Sequence, residues 1–92
     1  MLTEETVVDR IEIDERGIIG VRRASFIVRD GVRLPTPSYH RTTYEPGAEL
    51  GGEDPRVHAI AAIVWTDEIK AAAIARREQW LAAIAAGALP AL

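Results

Sequence analysis

Val7, Ile11 and Ile13 recur at even spacing, with Arg10, Glu12 and Asp14 between them. A period of two suits a strand with one face buried, and it predicts a first strand from about residue 6. Asp14-Glu15-Arg16-Gly17 reads as a turn, since Gly17 takes positive φ without penalty. A longer second strand covers Ile18 to Arg29. Asp30-Gly31 then gives the strongest hairpin signal in the chain. A third strand starts at Val32 and reaches about Tyr44. Pro35 and Pro37 cannot donate to a ladder, so this strand lies at an edge or breaks there.

The register follows from the two turns. A two-residue turn at Asp30-Gly31 sets Arg29 opposite Val32, Ile27 opposite Leu34 and Val21 opposite His40. A three-residue loop with a bulge at Gly17 sets Ile13 opposite Ile19, Ile11 opposite Val21 and Asp9 opposite Arg23. Both choices gather Val7, Ile11, Ile13, Ile19, Val21, Ile27 and Leu34 on one face, which a one-residue slip would scatter. The expectation is a three-stranded antiparallel meander over about residues 6–44. Its Val7–Leu34 side packs on the rest of the chain. The opposite face carries Val8, Ala24, Phe26, Val28 and Tyr39, either as scattered surface residues or as a contact patch for another subunit.

Residues 45–53 hold Pro46-Gly47 and Gly51-Gly52 and read as a loop. Beyond it the pattern turns helical, and thirteen of the fifteen alanines fall from Ala59 onward. Asp54 followed by Pro55 signals a helix start, and Val57, Ile60, Ala61 and Val64 form its apolar stripe. Thr66, backed by Asp67 and Glu68, caps a second helix that stops at Gly87. Helices are therefore expected over about 55–65 and 67–86, or as one kinked helix. On the second, Ile69, Ala73, Trp80 and Ile84 share one side, and packing onto the meander is expected along it. Ala71, Ala75, Ala82 and Ala86 form a stripe nearly opposite. The fold class is α+β in a single domain.

Composition narrows function mostly by exclusion. The chain has 92 residues, a net charge of −3 and no cysteine. Disulfides, thiolate metal sites and a cysteine nucleophile are excluded. A negative balance argues against nucleic acid as a partner. No apolar run is long enough to span a bilayer, and Thr3-Glu4-Glu5 lacks the basic segment of a secretion signal. There is no glycine-rich phosphate loop and no serine nucleophile motif around Ser25 or Ser38. His40 and His58, with Glu49, Glu53 and Asp54, lack metal-ligand spacing. No catalytic, cofactor or metal residue is assigned, and no enzyme, cofactor or small-molecule ligand is expected.

Arginines are the remaining chemistry. Arg22, Arg23, Arg29, Arg33 and Arg41 cluster on the last two strands. With His40, Tyr39 and Tyr44 they suit an anion site, for which Arg22, Arg23, Arg41 and His40 are the candidates. Ion pairing with Asp9, Glu12, Asp30 and Glu45 on a solvated surface is the simpler reading.

Val21-Arg22, Ala24, Ile27, Asp30-Gly31 and Leu34 are followed by Tyr39-His40-Arg41, Pro46-Gly47, Gly52-Glu53-Asp54, Arg56-Val57, Ala59-Ile60 and Val64-Trp65-Thr66. Over about residues 7–68 this order resembles a family of small proteins of tailed bacteriophages and prophages, encoded near tail-tip or tail-fibre genes. The resemblance brings no catalytic motif. It implies a viral setting: a non-enzymatic structural or accessory protein of the tail, in the virion or in the host cytoplasm during infection. Its partners would be phage tail proteins or further copies of itself, through Phe26, Val28, Tyr39 and Trp65. The alternative is a phage-encoded inhibitor of a host defence system that sequesters an anionic signalling nucleotide.

Overall fold

The computed structural model describes residues 1–87. Four strands, β1 (Leu2–Ile13), β2 (Ile19–Arg29), β3 (Val32–Arg33) and β4 (Ser38–Tyr44), precede two helices, α1 (Pro55–Val64) and α2 (Asp67–Ala85). β2 is the centre of one antiparallel sheet, with β1 on one side and β3 and β4 on the other. The fold is thus α+β, with the third strand of the meander split at Pro35–Pro37.

The turns set this register. Asp14 accepts at Oδ1 from the Arg16 and Ile18 amides at 2.9 and 3.0 Å, which fixes the first loop. Asp30 and Gly31 both take positive φ, 51° and 82°, as a tight primed hairpin turn requires. Ile13 lies opposite Ile19, Ile11 opposite Val21 and Arg29 opposite Val32, as the pattern predicts. Past the prolines, Val21 pairs with Thr42 and not with His40. The break inserts two residues, and an even number leaves every side chain on its expected face.

One expectation fails through an odd insertion. The β1–β2 ladder shifts between Val8 and Arg10, leaving Asp9 as the extra residue of a bulge. N-terminal to it every side chain changes face. Val8, opposite Arg23, packs against the core, whereas Val7 lies opposite Ala24 on the other face. The expected Asp9–Arg23 pair is replaced by Asp9–Arg22, with Arg22 Nε and Nη2 donating at 3.0 and 2.8 Å.

The helices start where their caps direct. Asp54 accepts from the Arg56 amide at 2.8 Å ahead of Pro55, and Thr66 Oγ1 accepts from the Ile69 amide at 3.2 Å. α1 lies on the sheet, and Val57 and Ala61 close on Ile19 and Val21. Val8, Ile11, Tyr44, Leu50, Ile60 and Trp65 surround this small core. Ile13 and Ile27 lie on the same sheet face but beyond the reach of α1, and each is 44% exposed.

α2 does not pack along its Trp80 side as expected. None of its residues is buried, and Trp80 is 52% exposed. Its closest contacts with the body lie at its base. Trp65 Nε1 donates to the Gly17 carbonyl at 2.7 Å, and Ile69 presses so close to Gly17 that a Cβ there would come within 2.7 Å of Ile69 Cγ2. The molecule measures 58 × 30 × 21 Å, with a radius of gyration of 18.0 Å. A compact chain of this length has about 12 Å, so α2 is a projecting arm.

Candidate functional site

Three places gather chemistry: a buried carboxylate under the sheet, the outer sheet face, and the bare sides of α2.

Glu53 is the one buried charged residue among the described ones, at 8% exposure. The Arg23 guanidinium donates to both its oxygens, Nη1 to Oε2 at 3.2 Å. Tyr44 Oη donates to Oε2 at 2.6 Å and the Asp54 amide to Oε1 at 2.8 Å. Four donors thus serve one carboxylate. Arg23, then Tyr44 and the Asp54 amide, outweigh the cost of burial and hold its pKa at about 2. The same bonds raise the pKa of Tyr44 and of Arg23. Next in sequence, Asp54 is brought to about 2 by Arg56. All of Glu53's acceptor capacity is used inside the chain, so the cluster clasps the 45–53 loop to β2 and β4 and leaves no lone pair for a substrate.

The outer face is armoured by arginine. Arg33 lies 4.5 Å over the Phe26 ring and pairs with Glu5. Arg22 lies 4.4 Å over Tyr39 and is held by Asp9. Each aromatic ring is covered by a cation that is itself neutralised. The Arg22 hydrogen bonds depress the pKa of Asp9, and Asp9 in turn raises that of Arg22. Phe26 and Val28 are half-buried within this layer, while Tyr39 keeps 56% exposure. Trp65 turns inward to Gly17.

The candidate anion residues do not converge. Arg22 and Arg41 are cross-strand partners on the outer face, whereas Arg23 and its partner His40 lie on the helix side, where Arg23 is committed to Glu53. The outer face adds Arg10 opposite Arg22. This forms a row of three arginines beside Gly20, whose missing side chain opens a cleft of about 150 Å³ bounded also by Glu12 and Thr43. Arg10 was readable from the Ile11–Val21 register, because its neighbour must then face Arg22. Among the described residues no three potential metal ligands come together. His58 meets the Gly51 carbonyl at 3.1 Å, and Ser25 pairs with Thr6.

α2 supplies what the pattern did not single out. Ile74, Trp80, Leu81 and Ile84 are 59, 52, 48 and 37% exposed along one arm, and Ile63 on α1 is 78% exposed. The signal was present as apolar residues on most sides of the helical wheel, a composition that a helix with a single packed face does not need. No family model, no curated protein and no solved structure matches the chain.

Proposed function

We propose that this chain is a non-enzymatic structural or accessory subunit of a phage tail, in the tip or fibre region, working through contacts with copies of itself and with tail proteins. One observation carries the assembly part. A 19-residue helix projects with no buried residue and four large apolar side chains exposed. A helix shorter than about 12–15 residues is marginal alone, and one this long still relies mainly on tertiary packing. Contiguous apolar surface of this kind marks interaction sites on soluble proteins. The clasped Glu53 and the paired Arg22 and Arg33 of the outer face point the same way, since those charges are spent on holding the fold. The tail setting is supported by the resemblance over about residues 7–68 and stands or falls separately.

Two measurements test the two parts. Light scattering on the purified chain should give a mass above that of one copy, and a strict monomer at all concentrations removes self-association. Mass spectrometry of purified phage particles from a host that carries the gene should detect the chain. Its consistent absence from them removes the tail.

A further inference from the structure

Two uncovered surfaces of the chain match each other. The first lies on the helix side of the sheet, at the hairpin end that α1 does not reach. There the register sets two cross-strand rows on one face, Leu2–Arg29–Val32 and Glu4–Ile27–Leu34. Leu34 is placed by its amide, which donates to the Ile27 carbonyl at 2.9 Å. Leu2 and Val32 are each 65% exposed and Ile27 is 44% exposed. Residues 2–7 of β1 carry this ribbon about 20 Å past Val8. Across its three strands the ribbon measures about 10 Å between the outer two, which is the width of one helix. α1 closes on the same face further along, so the chain fills its helix layer only in part.

The second surface is the arm. Ile74, Leu81 and Ile84 follow one side of α2 for about 15 Å, with Trp80 at the border. Arg77 falls in the middle of this stripe, three or four residues from Ile74, Trp80 and Leu81. The arm does not serve its own ribbon. It starts from Gly17, about 30 Å along β2 from Ile27, and both surfaces are bare.

Charge and area decide what covers them. Glu4 and Arg29 on the ribbon and Arg77 on the arm enter no ion pair among the described residues. A cation in the middle of an apolar stripe needs an acceptor once the stripe is covered. Glu4 offers one, flanked by Leu2, Ile27 and Leu34. A second arm does not, because its stripe carries Arg77 and no carboxylate, and like charges would meet. The chain exposes 6842 Å², where a compact protein of its 10.1 kDa exposes about 5,300 Å². A standard interface covers about 800 Å² on each side. The surplus is the size of two such patches, and an arm and a ribbon are two.

We propose that the α2 arm of one copy lies on the β1–β2–β3 ribbon of a second copy, with Arg77 donating to Glu4. This contact rests on the self-association proposed above and names its two surfaces. It uses the sheet face opposite Phe26 and Tyr39.

Light scattering at fixed concentration tests it on the whole chain. Wild type should weigh more than one copy. Ile27→Glu on the ribbon and Leu81→Glu on the arm should each fall to the mass of one copy. Both should keep the wild-type circular dichroism spectrum, since neither side chain belongs to the core. Mixed in equal amounts, these two variants should form a pair, because one keeps its arm and the other its ribbon. Glu4→Arg and Arg77→Glu should each weaken association about tenfold. Both changes in one chain should restore it to within about threefold of wild type. A wild-type oligomer that Ile27→Glu leaves intact overturns the ribbon as the seat and spares self-association, as does a mixture of the two variants that stays monomeric. A wild type that is itself strictly monomeric removes both.

Discussion

Replacing Glu53 by glutamine keeps the shape of the clasp and removes its charge. In the fold this carboxyl titrates at about 2 instead of 4.5. At about 1.4 kcal/mol per tenfold, that difference is worth about 3 kcal/mol, and the group is buried enough that solvent screening does not erase it. Because the folded pKa lies below the unfolded one, the contribution is complete above pH 4.5 and is lost as pH falls through about 2. Urea unfolding should therefore show Glu53→Gln about 2–3 kcal/mol less stable than wild type near neutral pH. The gap between the two proteins should close progressively on acidification. Following the difference, not either curve alone, cancels the other carboxylates with lowered pKa values, Asp9, Asp14 and Asp54. Protein concentration must be held fixed so that association does not enter. A gap that stays constant from neutral pH to about 2, or that never opens, refutes the argument that Arg23 and Tyr44 stabilise the ionised form.

Three further outcomes are expected. Leu81→Glu places a charge on the exposed arm and should lower the mass measured by light scattering to that of one copy, with an unchanged circular dichroism spectrum; an unaltered oligomer would move the contact elsewhere. Gly17→Ala should cost about 1–3 kcal/mol, because φ is +83° and the new methyl meets Ile69 Cγ2; a melting temperature equal to wild type would disprove the close approach. Trp65→Phe loses one hydrogen bond to the Gly17 carbonyl and should cost about 1 kcal/mol in urea unfolding, whereas a neutral result would mean that the indole N–H is equally well solvated.

Much of the sheet could be read from the chain because its turns are chemically explicit. Asp30-Gly31 and the Asp14–Gly17 loop fix the phase of three strands, and the prolines shift the last by an even number. The bulge at Asp9 was illegible for a specific reason. Val7 and Val8 are adjacent valines, so either phase offers an apolar residue to the core, and the alternation cannot say which. The Glu53 clasp was hidden differently. Its three side chains lie on β2, β4 and the loop, and only the tertiary fold brings Arg23 and Tyr44 to a glutamate that sequence gives no cause to bury. For α2 the wheel supplied apolar residues on several sides, and the choice of its own sheet as the neighbour was wrong. Gly17 admits only the base of the helix, and the rest leaves the body.

The bulge and the split third strand have a joint effect on how copies can meet. Each spoils one rim of the sheet, Asp9 by interrupting the run of β1 and Pro35–Pro37 by removing amide donors between β3 and β4. Unspoiled rims invite endless strand-to-strand addition, the route to fibres. With both borders blunted, growth by edge pairing is disfavoured, and any self-association falls to the arm that leaves the body at Gly17.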